Sequence, residues 1–339
     1  MRILVTGGAG FIGSNFILHM FRKHPRIQIV NLDKLTYAGN LNNLVSIRGR
    51  AGYKFVKGDI ASVRDVRKAL SGGVDAVVNF AAESHVDRSI LGPAEFVRTN
   101  TFGTQVILEQ ARRAGVGRFV QISTDEVYGS LPLKGKSRFT EKSQLSPSSP
   151  YSASKASADL LARAYFHTFG FPTVVTRCSN NYGPFQFPEK FLPLFITNAM
   201  EDKELPLYGD GRNVRDWIHV EDHCRAIEEV LLRGAPGEVY NIGGDSEMSN
   251  IDMAHLILDG LGKPRSLIRF VKDRPGHDRR YAIDAAKIGR ELGWTPSVTL
   301  KDGVASLIHW YKTHRKWWQE IKSGAYTSYY RSWYGERLG

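Results

Sequence analysis

The chain has 339 residues, 42% hydrophobic and 24% charged, and its 46 Lys and Arg against 34 Asp and Glu give a net charge of +12. That length buries a large core in one large domain or two smaller ones; no apolar run reaches the ~18 residues of a membrane helix, and Met1 to Val5 leads straight into a strand. Cys178 and Cys224 have no metal spacing and are too few for a disulfide framework, and the basic residues are spread along the whole chain, so the composition predicts a cytoplasmic protein without metal, membrane or nucleic-acid partner. Anionic small ligands account for part of the basic excess.

Residues 2–6 read as a first strand. It runs into Gly7-Gly8-Ala9-Gly10-Phe11-Ile12-Gly13 and then an apolar-periodic helix through Phe16, Ile17, Leu18, Met20 and Phe21. Gly7, Gly10 and Gly13 lie between a strand and a helix. Without side chains there the turn can be tight, the backbone can approach a pyrophosphate, and the helix N-terminus supplies amide donors. Twenty residues beyond Gly13, Asp33 ends a strand over 27–32, where an acid meets the adenosine ribose hydroxyls. A carboxylate there repels a 2′-phosphate and predicts NAD over NADP, an inference that Lys34 slightly tempers. A strand over 53–56 ends in Gly58-Asp59-Ile60, a helix covers 63–70, and a strand over 76–80 ends in Ala81-Ala82-Glu83-Ser84. Asp59 and Ile60 are placed to frame an adenine, and Ala81-Ala82 to let the cofactor lie close. A long helix over 94–114 follows. Strands and helices alternating in this way predict an α/β fold with a doubly wound parallel sheet.

The apolar run Phe119-Val120-Gln121-Ile122 is a buried strand, so Ser123 to Glu126 fall at its carboxyl end, where open α/β sheets bind ligands. Ser149 as N-cap and Pro150 in the first turn then open a helix on which Tyr151 and Lys155, four apart, share a face. An ammonium beside a phenol favours the phenolate and can make it a general base near neutral pH. Beyond this helix a strand over 173–177 ends in Ser179-Asn180-Asn181-Tyr182-Gly183-Pro184. Phe187 to Lys190 precede an apolar helix, residues 205–208 lead to a turn at 209–211, residues 213–220 feed another helix, and 239–244 read as one more strand. The last third carries residues 273–280 and two amphipathic helices. Arg215, Arg274, Arg279 and Arg280 are candidates for a diphosphate, because a guanidinium fork matches phosphate oxygens; Arg274, in a Pro-Gly loop beside His277, is the best placed. No internal repeat, linker or charge block interrupts the chain, so the second lobe is expected to pack closely on the first.

From Gly7 to about Tyr281 the chain resembles the extended short-chain dehydrogenase/reductase family and, within it, the dTDP-glucose 4,6-dehydratases. The resemblance rests on TGGAGFIGSN at 6–15, LDKLTYAGN at 32–40, AAESHVDRS at 81–89, STDEVYG at 123–129, YSASK at 151–155 and NNYGP at 180–184, of which the Asp-Glu pair after Thr124 is the most specific. It implies a Rossmann-type sheet with a smaller C-terminal substrate-binding lobe: residues 1–180 for NAD, completed by strands and helices returning from later in the chain, and 181–339 mainly for the nucleotide sugar. It also implies a homodimer through the helices over 94–114 and 151–169. Tyr151 is then the base, Lys155 its partner, Thr124 a sugar contact, Asp125 the acid for the departing hydroxyl and Glu126 the base for the C5 proton. NAD contacts implied are Gly7, Gly10, Phe11, Ile12, Gly13, Asp33, Lys34, Thr36, Asp59, Ile60, Ala81, Ala82, Ser84, Thr99, Tyr151, Lys155 and Asn181. Nucleotide-sugar contacts implied are Ser84, Thr124, Asn180, Glu189, Lys190, Pro206, Tyr208, Arg215, Asn250, Arg274 and His277. The aromatic tail with Tyr326, Tyr329, Tyr330, Trp333 and Tyr334 matches nothing in this pattern.

The chemistry of the residues agrees. Water leaves C6 of a hexose only after C5 has become acidic, and oxidation at C4 to a ketone achieves that. A carboxylate and a carboxylic acid side by side then suit the elimination, provided their pKa values differ, with Asp125 raised by burial or by its neighbour. Hydride then returns to C6, giving dTDP-4-keto-6-deoxyglucose for deoxysugar (rhamnose-type) synthesis, with no net use of NAD. A C4 epimerase or decarboxylase of the same fold would use Tyr151 and Lys155 without needing Asp125-Glu126. A non-catalytic NAD-binding regulator would not need Tyr151 and Lys155, and a UDP-glucose dehydratase would share the whole catalytic set.

Overall fold

Apolar runs of four to seven residues, too short for helices, become strands buried on both faces of a parallel sheet. The structure is a computed structural model that describes residues 1–323. In chain order its first half contains β1 (Arg2–Thr6), α1 (Phe11–Lys23), β2 (Gln28–Asp33), β3 (Tyr53–Lys57), α2 (Val63–Leu70), β4 (Ala76–Asn79), α3 (Val86–Leu91), α4 (Pro93–Phe96), α5 (Thr104–Arg113), β5 (Arg118–Thr124) and α6 (Pro150–Phe169). There follow β6 (Thr173–Cys178), β7 (Asn180–Tyr182), α7 (Phe191–Met200), β8 (Leu205–Tyr208), β9 (Val214–His219), α8 (Val220–Arg233), β10 (Val239–Ile242), β11 (Glu247–Ser249), α9 (Asn250–Leu261), β12 (Ile268–Val271), α10 (Ala286–Leu292), α11 (Leu300–Thr313) and α12 (Arg315–Lys322). The tail tyrosines and Trp333 lie outside the described residues.

Seven strands form one parallel sheet in the order β10-β6-β5-β4-β1-β2-β3. The order reverses between β1 and β4, so their carboxyl ends border the crevice in which such sheets take ligands. One face is covered by α1 and α8, with Phe16, Ile17, Met20, Ile227 and Val230 packed on Ile3, Val5 and Val78. The other is covered by α2, α5 and α6, with Val66, Ile107, Leu108 and Ala162 packed on Leu4, Val77 and Phe119. The later chain builds a second core around Phe195, Leu207, Ile257, Leu307 and Trp318. Two small sheets, β11-β9-β7 and β12-β8, belong to this part. Among the described residues no helix is long and apolar enough to cross a membrane.

Two features differ from the reading of the sequence. The helix expected over 94–114 carries a π-helical stretch at Val97–Gly103 between α4 and α5. There Asn100 turns inward to bond the Glu83 backbone and the Ser154 hydroxyl, and a Cβ at Gly103 would lie 2.8 Å from the Ile60 side chain. Widened turns of this kind recur at functional sites. Residues 213–220, expected only to feed a helix, contain strand β9, which pairs with β7 and β11. Its two partners are three residues each and polar, so the sequence around them carries too little periodicity to announce the sheet that β9 joins.

A fully buried ion pair ties the active-site helix to the sheet. Arg177 Nε donates to Asp159 Oδ2 at 2.9 Å, and its Nη1 donates to the Tyr128 hydroxyl at 2.9 Å, which donates in turn to Asn241 Oδ1 at 2.7 Å. Losing one partner of such a pair costs ~3–5 kcal/mol, because the other charge is left buried and alone.

Candidate active site

The carboxyl ends of β1, β2, β4 and β5 open into a cleft of about 310 Å³, adjoined by a second cavity of about 180 Å³ toward the C-terminal lobe. Gly7, at φ 67°, is held so close to the β4 end that a Cβ would sit 2.7 Å from Ala81 N, and a Cβ on Gly13 would lie 2.4 Å from Gly7 O. Gly10, by contrast, meets only Gly7 O at 3.3 Å, so the cleft side of the turn is open. α1 therefore presents its first amides there with no side chain in between, which fits a dinucleotide pyrophosphate.

At the end of β2, Asp33 accepts from Ala9 N at 2.9 Å and Leu35 N at 2.8 Å. Burial raises its pKa, and those two amides oppose the rise. Lys34 Nζ is 3.1 Å from Asp59 Oδ2, which Arg98 also meets at 2.9 Å, so the lysine's charge is already engaged away from Asp33. Gly7, Gly10, Phe11, Ile12, Gly13, Asp33, Lys34, Thr36, Asp59, Ile60, Ala81, Ala82, Ser84, Thr99, Tyr151, Lys155 and Asn181 all line this first cleft. Glu83, Gln186 and Phe187 line it as well; nothing in their local sequence distinguishes them.

β5 ends at Thr124, which caps the 3-10 turn Asp125–Tyr128: its Oγ1 accepts from Glu126 N and donates to Asp125 Oδ1, both at 3.3 Å. Asp125 is only 2% exposed, and its Oδ2 has no hydrogen-bond partner among the described residues. Burial, then the Glu126 and Asp216 carboxylates, push its pKa well up. Glu126 is raised too, by burial, but Arg274, Arg215 and Lys190 pull it back. The two neighbouring carboxyls therefore sit in environments that separate them, with Asp125 the group held as the neutral acid.

The Tyr151–Lys155 pair departs from expectation. α6 begins as read, with Ser149 and Ser152 forming a reciprocal cap and Pro150 in the first turn, and both side chains reach the cleft. Lys155 Nζ, however, donates to the Ile122 carbonyl at 2.6 Å. The Tyr151 phenol is pushed well above its ordinary pKa by burial, then by Glu126, Cys178 and Asp125, with the Thr124 hydroxyl acting the other way. Burial first and the nearby carboxylates second thus favour the neutral form, and the phenol of the protein alone is a proton holder.

In the second cavity stand Ser84, Asn180, Glu189, Lys190, Pro206, Tyr208, Arg215, Asn250, Arg274 and His277, and Glu126 belongs to the walls of both cavities. Thr124 lies in the first cleft only. Arg215 is 5% exposed; it donates to the carbonyls of Val214 and Asp278, lies over the Tyr281 ring at 4.3 Å, and has no carboxylate at ion-pair distance among the described residues. Arg274 Nη1 meets Asp87 at 3.1 Å, while its Nε is buried and without a partner among the described residues, as are Asn180 Oδ1 and Trp217 Nε1. Burial, with Arg274 and Arg215 beside it, takes the His277 pKa down to about 3, so the ring is neutral against Asp273. The unpartnered Arg274 and Trp217 N–H groups and the Arg215 guanidinium suit a polyanion such as a diphosphate, while Asn180 Oδ1 is an acceptor that suits a hydroxyl. Two of the four candidate arginines are absent from it: Arg279 pairs with Asp210 and Arg280 with Glu247. Asp216, which no local pattern singles out, lines neither cavity and bears on the site through its charge on Asp125, from β9 beside β7.

The family model described as GDP-mannose 4,6 dehydratase matches residues 4–307. A dTDP-glucose 4,6-dehydratase of Escherichia coli is 50% identical, the alignment covering 100% of this chain and 99% of that protein. Among solved structures, the dTDP-glucose 4,6-dehydratase of Streptomyces venezuelae with NAD and TYD bound superposes with a TM-score of 0.92 at 51% identity, covering 95% of this chain and 100% of that one. The enzyme of the same description from Bacillus anthracis, in complex with NAD, gives 0.89 at 50% identity, with the same coverage.

The geometry at Asp33 generates a binding prediction. NAD should bind at least ~10-fold more tightly than NADP, and Asp33→Ala should bring the two within about threefold, since a like-charge contact is removed. Fluorescence titration with each dinucleotide checks this; equal affinities in the unmodified protein would contradict it.

Proposed function

The chain belongs to the GDP-mannose 4,6 dehydratase family and aligns over its whole length with dTDP-glucose 4,6-dehydratases, and from that premise we propose that Asp125 and Glu126 remove water from a hexose held between its two cavities. The chain is an NAD-dependent hydro-lyase that turns dTDP-glucose into dTDP-4-keto-6-deoxyglucose. NAD, when bound, accepts the C4 hydride and returns it to C6. Residues 1–180, with the returning strand β10, carry the dinucleotide, and 181–339 mainly carry the nucleotide sugar. The observation that carries the assignment of roles is the wall common to both cavities: Glu126 on it, and beside it a buried Asp125 whose second oxygen has no partner among the described residues.

In the proposed sequence Tyr151 takes the C4 hydroxyl proton, with Thr124 bonded to the sugar. The phenol ionises only when positive charge joins the cleft, because the protein's own groups hold it protonated. The C4 ketone acidifies C5. Glu126, kept closer to its ordinary pKa by three cations, accepts the C5 proton. Asp125 gives its proton to the C6 hydroxyl, which leaves as water. After hydride has reached C6, a proton is restored at C5 and C4 remains a ketone; the proton that Tyr151 took is released to solvent, and solvent replaces the one that Asp125 gave up. Arg215, Arg274, Lys190 and Asn180 hold the diphosphate and sugar in the second cavity.

We extend the reading to a cytoplasmic homodimer. Val97, Phe102, Leu160 and Phe169 are each about half exposed on helices that pack side by side, an apolar face that a second copy would cover. Light scattering at micromolar concentration should give twice the chain mass; a monomer mass sinks this part.

The order of catalytic steps is testable by where each variant stops. Tyr151→Phe should form no reduced cofactor. Glu126→Gln should accumulate reduced cofactor on the protein with neither 4-keto-6-deoxy product nor exchange of the C5 hydrogen in deuterium oxide. Asp125→Asn should slow loss of water by about 10²-fold or more. Assaying dTDP-, UDP-, CDP- and GDP-glucose side by side tests the substrate, with dTDP-glucose expected to lead. Wild-type C5 exchange and product formation in Glu126→Gln would refute the carboxylate assignment.

The pH dependence follows from the same pair. Asp125 must be protonated to act, so turnover falls as pH rises through its raised pKa. Asp216 titrates at about 6, shifted up chiefly by burial, and above that its negative charge helps keep Asp125 protonated. Asp216→Asn removes that charge, lowers the Asp125 pKa and should move the alkaline limb of kcat about half a unit to one unit toward lower pH. An unmoved limb would show that a different group sets it.

A further inference from the structure

No residue of α11 or α12 lines either cavity, yet these helices grip the segment that closes the cleft. Gln186, Phe187, Glu189 and Lys190 line the dinucleotide cleft, and Phe187 meets Tyr37, from the loop after β2, edge-on at 5.4 Å. Release of a bound dinucleotide therefore requires segment 183–190 to part from residues 34–40. From behind, α11 and α12 hold that segment along its length. Gly303 lies so close to Tyr182 that a Cβ would be 2.1 Å from the phenol oxygen. The Tyr311 hydroxyl donates to Gln186 O. Phe185 is clasped edge-on by Trp310 at 5.2 Å and by Trp317 at 6.1 Å.

The same tryptophan reaches the glycine-rich turn. Trp317 Nε1 donates to Asn43 Oδ1 at 2.9 Å, and Asn43 Nδ2 donates to the Ala9 carbonyl at 3.1 Å. Asn15, in the second turn of α1, closes the circuit by donating to both Phe11 O and Pro184 O at 2.9 Å. Phe185 itself has φ 67°, a left-handed backbone that costs a phenylalanine of order 1 kcal/mol and persists only where its surroundings over-determine it.

We propose that Trp317, with Trp310 and Tyr311, is a strap that holds segment 183–187 against the glycine-rich turn and so retains the dinucleotide between hydride removal and hydride return. These are positioning residues; none lines either cavity. The proposal rests on the dinucleotide reading above and adds to it a control of cofactor exchange.

The test measures release rather than turnover. Protein loaded with NADH is chased with excess NAD, and loss of bound fluorescence gives the release rate. Trp317→Ala should raise that rate about tenfold or more, and Trp317→Phe, which keeps a ring but loses the bond to Asn43, about three- to fivefold. At saturating NAD, kcat should stay within about twofold of the parent while turnover becomes dependent on added NAD. Leu292→Ala, a core truncation in α10 away from the strap, controls for general destabilisation and should leave release unchanged. Should Trp317→Ala not fold, Trp317→Phe and Asn43→Ala decide. Release rates equal to that of Leu292→Ala overturn the strap while leaving the dehydratase reading intact. An unmodified protein that binds no dinucleotide overturns both.

Discussion

The site depends on one electrostatic constraint: acids and bases are taken out of water together, within reach of one another, so the state of each is set by its neighbours. Asp125, Asp159, Asp216, Lys155, Arg177 and Arg215 are each 5% exposed or less. Away from water a charge survives only beside a partner or several donors; otherwise the group neutralises. Burial raises the pKa of Asp159 too, but Arg177 at 2.9 Å opposes the rise, whereas Asp125 faces two other carboxylates and is held as the acid. Glu126 has the same chemistry one residue later, but looks toward the cations of β9 and the 274 loop. The sheet makes the difference: β5 ends between two lobes, and adjacent residues of one 3-10 turn inherit different electrostatic surroundings.

Much of the first lobe was legible because its signals are local. The Gly7-Gly10-Gly13 turn, Asp33 at the end of β2 and the Ser149 cap before Tyr151 each depend on a few neighbouring residues. Their physical reasons, close backbone approach, ribose recognition and capping, act over the same short range. The carboxylate pair was legible as a pair. What separates its members was not, since the separation comes from Asp216, Arg215, Arg274 and Lys190, 64 to 149 positions along the chain.

The same distinction explains what went unread. A lysine four residues after a tyrosine suggests an ammonium aimed at a phenol; the fold gives that ammonium the Ile122 carbonyl, buries the phenol and sets Glu126 and Asp125 near it. Arg279 and Arg280 resemble Arg215 and Arg274 in sequence, but Asp210 claims the first at the surface of the lobe and Glu247 the second inside it. β7 and β11 are three residues each, and they form strands only because β9 lies between them. In each case a tertiary partner overrides a short pattern.

A cycle that moves hydride from C4 to C6 of one sugar has a requirement that an ordinary dehydrogenase lacks: the reduced cofactor must not exchange with solvent between the two transfers. Binding residues alone meet it poorly, because groups that grip both cofactor forms equally lower every state of the cycle together. A wall that resists opening meets it kinetically, without changing the relative energies of the bound states. Here the wall is segment 183–190. Its inner side carries Gln186, Phe187, Glu189 and Lys190, and its outer side rests on aromatic side chains of α11 and α12. The left-handed Phe185 marks where the segment bends between those duties. The second lobe thus does more than supply cations for a diphosphate, because the core that folds it also holds the first lobe's cleft shut.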